Sequence, residues 1–167
     1  MTSIRAIQIV GVLGVGLLTA MACINNLTDY GSNFAFVQHV LSMDTTFPDN
    51  SLRWRAIEAP ALHHLAYWLI IAAEGLAAAL CLVGAVNLLR HRNDGAEDFH
   101  RSKTIALWGL TVALALYLIG FMVVGAEWFV MWQSPKWDGR QAAFRILTAI
   151  GLVTLILLHR DDRTKAP

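Results

Sequence analysis

"TIALWGLTVALALYLIGFMVVGA", residues 104 to 126, carries no charged side chain. A helix needs ~20 predominantly apolar residues to cross the ~30 Å hydrocarbon core of a bilayer. A run of this length and purity reads as a transmembrane helix. The same reading extends outward in both directions. Residues 6 to 28 contain no charge, residues 59 to 89 contain only Glu74, and residues 141 to 158 contain only Arg145. The sequence therefore predicts spans at about 6–26, 64–89, 104–126 and 141–159. Arg145 falls in the first turn of the last span, where its side chain can snorkel to the headgroups.

Composition agrees. Of the 167 residues, 56% are hydrophobic and 15% charged, with mean hydropathy +0.51. That excludes an ordinary soluble domain. A formal net charge of +1 gives no pull toward nucleic acid. The expected fold is all-α: one integral membrane domain over 1–167, a four-helix transmembrane bundle with an outer cap at 27–63 and a polar tail at 160–167. Cys23 and Cys81 show no metal-type spacing and read as packing residues.

Basic residues set the expected orientation. Arg5, Arg90, Arg92, Arg101, Lys103, Arg160, Arg163 and Lys165 fall on one side; Arg53, Arg55, Lys136, Arg140 and Arg145 fall on the other. The richer side should be cytoplasmic, which puts both termini inside. A competing reading takes Arg5 and the apolar run ending in Ala20-Met21-Ala22-Cys23 as a signal segment. Ala20 stands where a lipidation signal more typically has Leu, which favours a retained span.

The helices offer small residues for close approach: "GVLGVG" (11–16) in the first and "AAEGLAAALCLVGA" (72–85) in the second. The loop "RHRNDGAEDFHRSK" (90–103) reads as a solvated charged turn. At 37 residues, the segment 27–63 is too long to be a bare connector. Within it, "NFAFVQHVLSM" (33–43) places Phe34, Val37 and Leu41 on one helical face, extended by Phe36, Val40 and Met43. Asp29, Ser32 or Asn33 can cap its start. A short helix is expected there, on the membrane surface or folded over the bundle mouth.

The stretch "NNLTDYGSNFAFVQHVLSMDTTF" (25–47), with "EWFVMWQS" (127–134) and "AFR" (143–145), resembles a bacterial family of predicted small integral membrane proteins of unknown function. The resemblance covers essentially the whole chain. It implies four spans in a bacterial inner membrane and carries no established activity, so no catalytic residue follows from it.

The residues themselves nominate two places for chemistry. Glu74, about ten residues into the second span, is expected near mid-bilayer, where a charged carboxylate costs ~2.5–3.5 kcal/mol on insertion scales. It serves either as a proton or cation relay, or as a protonated side chain bonded to Thr19, Thr111, Tyr117 or a backbone carbonyl. The second place is an outer polar site formed by Asp29, His39, Asp44, Glu127, Gln133 and Arg145 under the cap. Glu127 and Arg145 are expected to pair and tie the last two spans together. His39 and Asp44 are candidate metal ligands; no other cofactor is expected. Trp54, Trp128, Trp132 and Trp137 read as interfacial anchors in contact with the lipid bilayer.

Three functions remain open at this point. The first is a non-enzymatic accessory, assembly or partner-binding module acting on another membrane protein through its outer face. The second is a membrane-embedded enzyme or metal-binding protein with its site under the outer loop. The third is a proton-linked transporter using Glu74.

Overall fold

The computed structural model describes residues 2–160. Its helices are α1 (Ser3–Thr28), α2 (Tyr30–Ser42), α3 (Pro60–Arg90), α4 (Ala96–Arg101), α5 (Thr104–Leu114) and α6 (Arg140–Leu158). α5 runs directly into a π-helical stretch, Ala115–Trp128. Single 3-10 turns lie at Arg53–Arg55 and Met131–Gln133. Among the described residues, four stretches are long and apolar enough to cross a membrane: Ser3–Thr28, Pro60–Arg90, Ala96–Trp128 and Arg140–Leu158. The four-helix bundle read from the sequence is thus present. The polar tail lies, beyond Arg160, outside the described residues.

Local chemistry sets the ends. Thr2 opens α1, its hydroxyl accepting from Arg5 N at 3.3 Å. Pro60 opens α3 at its first position, where its missing N–H costs nothing. Arg140 opens α6, so Arg145 stands in the second turn rather than the first, and it is exposed.

Small residues hold the bundle together. α3 is the central helix, making the most extensive contacts with α1 and with α5. At Gly84 a Cβ would lie 2.6 Å from the Ala106 backbone, and at Gly109 it would lie 2.6 Å from Cys81 Sγ. These two glycines allow α3 and α5 to touch backbone to backbone. The "GVLGVG" run behaves less uniformly than expected. Gly16 meets Leu82 and Cys81 of α3, Gly11 meets Val153 of α6, and Gly14 faces open space. A 3.6-residue period sends three closely spaced glycines to three different surroundings.

At the end that carries the N-terminus, the 90–103 loop is not simply a solvated turn. α4 turns Phe99 inward until it is fully buried, and Arg5 and Lys103 are 4% and 1% exposed. Both cations lie against the Phe99 ring, at 4.4 and 5.5 Å from its centroid. Arg5 donates to the carbonyls of Arg92 and Asp94, and Lys103 donates to that of His159 at 2.7 Å. Gln8 adds bonds to the Ile156 and His159 carbonyls. Carbonyls of the 92–94 loop and of the α6 C-terminus supply these acceptors.

The opposite end is closed by the cap. One residue, Asp29, separates α1 from α2, which starts three residues before the expected "NFAFVQHVLSM" segment. Asp29 occupies the cap position without a side-chain cap bond. Asn33 does the joining, its Nδ2 bonding the carbonyls of Asp29 and, more weakly, Asn25. The predicted apolar face is the buried one. Val37, Val40, Leu41 and Met43 pack on Tyr67, Ile71, Ala126 and the 129–131 segment, with Phe34 and Phe36 alongside. α2 is therefore folded over the bundle mouth.

Candidate functional site

The strap after α2 explains why "SMDTTF" and "EWFVMWQS" belong together. Thr45 Oγ1 and Ser134 Oγ are 2.8 Å apart, and Phe47 N donates to Gln133 Oε1 at 3.3 Å. Ser134 Oγ also accepts from Trp137 N. The first segment is stitched onto the second, and Gln133 is one of the stitches. Two backbone positions mark the junction. Met43 and Val130 have φ of 51° and 46°, and for a β-branched residue that region is costly. Burial of both side chains holds them there.

The six residues of the expected outer site are only partly brought together. His39 Nδ1 bonds the Asp44 carboxylate at 2.7 Å, and the His39 ring stacks on Trp137 at 4.7 Å. Asp29 lies beyond the far end of α2, ten residues or ~15 Å along the axis from His39. Glu127 and Arg145 are both exposed and form no ion pair with each other among the described residues. The tight pair near α6 is instead Asp138–Arg140, bonded through Arg140 Nε and Nη2 at 2.9 Å each. The neighbouring guanidinium holds the Asp138 carboxyl below its ordinary range. No group of three or more His, Cys, Asp or Glu side chains converges among the described residues.

The tryptophans also divide. Trp54, Trp128 and Trp132 are exposed, Trp54 to 71%. Arg55 lies over the Trp128 ring at 4.5 Å and donates to its carbonyl at 3.2 Å, while Trp54 meets Trp128 edge-on. Trp137 is half-buried, and its ring serves as the platform for His39 and Phe36.

The sequence did not point to the partners of Glu74. Glu74 is 3% exposed, and Asn26 Nδ2 donates to its Oε2 at 2.7 Å. Tyr67 completes the group, its hydroxyl donating to the Asn26 carbonyl at 2.9 Å, with Oδ1 at 3.3 Å. The expected partners are engaged elsewhere: Thr19 bonds the carbonyls of Val15 and Gly16, and Thr111 bonds that of Leu107. Tyr117 lies near Glu74 without a bond to it among the described residues.

This pairing fixes the height of Glu74 within the bundle. Asn26 is two residues short of the end of α1. The 18 residues from Gln8 to Asn26 rise ~27 Å, close to the ~30 Å of a hydrocarbon core. Glu74 therefore lies toward the cap end of the bundle. α3 runs on for another ~21 Å and supports α2 above it. Counting along α3 alone gives no height relative to α1, because α3 is longer than the bundle is thick.

Beneath α2 are two adjoining cavities. The first, ≈ 320 Å³, is the polar one: Glu74, Asn25, Asn26, Asn33, Tyr67 and Tyr117 contribute to its wall, and Ala142, Ala143 and Ile146 of α6 close the far side. The second, ≈ 310 Å³, is lined by apolar residues of α2, α3 and the π-helical stretch, with Phe129 and Met131 at its end. Phe36, Val37, Ile70 and Phe121 border both. Tyr117 and Phe121 stack at 5.5 Å and Phe36 continues the series at 6.2 Å. π-helical backbone is rare and recurs at functional sites. Here it supplies wall residues to both cavities. Gly139 admits the Phe36 ring, since a Cβ there would lie 2.8 Å from its Cζ.

A family model described as "Predicted small integral membrane protein (DUF2165)" matches residues 4–160. No curated protein and no solved structure matches the chain.

Proposed function

The chain belongs to the DUF2165 family of predicted small integral membrane proteins, and we propose from its own geometry that it is a non-enzymatic binding module for a lipid-phase molecule. The membrane is the bacterial inner membrane, with both termini cytoplasmic and the cap facing outward, as the distribution of basic residues favours. The ligand's polar end sits in the Glu74 cavity and its apolar end in the neighbouring one.

One observation carries the reading. Glu74 is 3% exposed, yet it contributes to the wall of a cavity of ≈ 320 Å³. An ionisable group inside a membrane segment is costly and is a functional-site candidate by default. The adjoining apolar cavity provides what a purely structural Glu–Asn pair does not need. Cavities of this size, apolar with a few convergent polar groups, are typical of small-molecule sites. The catalytic alternative lacks comparable support, because Asp29, Glu127 and Arg145 lie apart from His39 and Asp44.

Native mass spectrometry of the full chain, released from its own membrane into mild detergent, tests the proposal. The expected result is a retained adduct of lipid-like mass, lost when Gly120→Leu fills the apolar cavity or Ala142→Leu fills the polar one. A bare wild-type chain, or an adduct indifferent to both substitutions, overturns it.

A second reading, a docking face for another membrane protein, rests on exposed Trp54 and Trp128 with half-buried Arg55 between them, residue types that dominate binding hot spots. Purification in mild detergent separates the two. Migration alone, with no stable partner, counts against this second role.

A further inference from the structure

The geometry points to a lipophilic cation, an ammonium head on an alkyl chain, as the ligand class of the paired cavities. This inference rests on the binding role proposed above and adds the charge of the ligand.

Three features of the polar cavity select the charge. Its lining contains one ionisable carboxyl, Glu74, and no Lys, Arg or His. Glu74 spends one oxygen on Asn26, and its other oxygen accepts no hydrogen bond among the described residues. Two cations adjoin the lining in sequence: Arg140 is held by both carboxylate oxygens of Asp138, and Arg145 is exposed and not part of the lining. An anionic head would enter a cavity whose lining offers no positive partner. A cation would meet the free oxygen of Glu74 and supply the opposite charge that favours its ionised form.

The aromatic wall points the same way. Tyr117, Phe121 and Phe36 form a continuous series of rings, with stacked contacts at 5.5 and 6.2 Å, and Tyr67 lines the cavity beside them. Aromatic rings attract ammonium groups, and Tyr67, Tyr117, Phe121 and Phe36 all border the cavity that holds Glu74. Tyr117 is 4% exposed, and its hydroxyl makes no hydrogen bond among the described residues. It remains available to the ligand. The series ends at Phe36 and Phe121, which also border the apolar cavity. An alkyl chain leaving the head can pass between these rings into apolar surroundings.

The test uses the full chain in maltoside detergent and three radiolabelled probes of equal chain length: dodecyltrimethylammonium, dodecanol and dodecyl sulfate. Equilibrium dialysis below the probes' micellar range reads binding. The expected order is ammonium first, dodecanol weaker and sulfate weakest. Glu74→Gln keeps an acceptor for Asn26, so the fold is retained, and it should weaken ammonium binding by about tenfold or more and dodecanol binding much less. Phe121→Leu should weaken the ammonium probe more than dodecanol. Equal binding of ammonium and dodecanol, or ammonium binding unaffected by Glu74→Gln, overturns the cation inference and leaves the binding role standing. If no probe binds the wild-type chain and Gly120→Leu changes nothing, the binding role falls with it.

Discussion

Asn26→Ala removes the one side chain bonded to Glu74 among the described residues, and the structure allows its cost to be worked out. The substitution deletes a 2.7 Å bond to a buried carboxyl and a weaker 3.3 Å acceptor for Tyr67, while the 2.9 Å bond from Tyr67 to the residue 26 carbonyl survives. Hydrogen bonds between membrane helices average ~0.6 kcal/mol in double-mutant cycles, with ~1.7 kcal/mol at the upper end. Bonds to charged groups are worth ~1.5–3 kcal/mol. A cycle over Asn26→Ala and Glu74→Leu should therefore give a coupling between those bounds. A value near ~0.6 kcal/mol marks a neutral carboxyl, and one above ~1.5 kcal/mol marks a carboxylate. Glu74→Gln alone should cost little stability, because the glutamine carbonyl can take the Asn26 proton. Reversible unfolding in mixed micelles, followed by far-UV circular dichroism, supplies the four free energies. Zero coupling would refute the pairing, as would Glu74→Gln destabilising more than Asn26→Ala.

Three other outcomes follow from different parts of the molecule. Gly84→Ala drives a methyl into the Ala106 backbone and should cost ~1–3 kcal/mol as an overpacked contact; Gly14→Ala meets open space and should leave the thermal midpoint unchanged or slightly raised. Ser134→Ala strands the Thr45 hydroxyl and the Trp137 N–H, with an expected loss of ~1–3 kcal/mol and faster proteolysis within residues 44–59. Asp138 has its folded value lowered by Arg140, so its stabilising contribution is present above the ordinary carboxylate range, ~3.9, and is lost as pH falls through the lowered value. Asp138→Asn should flatten that acid limb of the stability curve and match wild-type stability at pH values where the wild-type Asp138 carboxyl is protonated.

The bundle was legible in the sequence because a membrane imposes a simple rule. Every spanning segment must be long and apolar, and charge-free runs announce it. The buried face of α2 was legible for a related reason, since Phe34, Val37 and Leu41 keep helical spacing. What stayed hidden depended on which residues of different segments meet at one depth. Asn26 and Glu74 are 48 positions apart, and nothing in either segment states their common height. Position counted along α3 alone gives no height relative to α1, because α3 carries extra turns beneath the cap. Glu127 and Arg145 looked like partners because a short loop joins their helices, yet the ion pair formed in that loop is Asp138–Arg140, and both Glu127 and Arg145 are exposed. The partition of "GVLGVG" among three surroundings follows from helical phase, which requires knowing where the neighbouring helices stand.

Photolabelling tests the central claim most directly. A dodecylammonium probe carrying a diazirine beside the head, and a second carrying it at the chain end, would be irradiated with the full chain in lipid nanodiscs and the labelled peptides sequenced. The head probe should mark Ala22–Asn26 and Ala142–Ile146, and the tail probe should mark Ala66–Ile70 and Gly120–Gly125. Labelling by both probes confined to outward-facing side chains such as Trp108 and Leu155 would contradict the account.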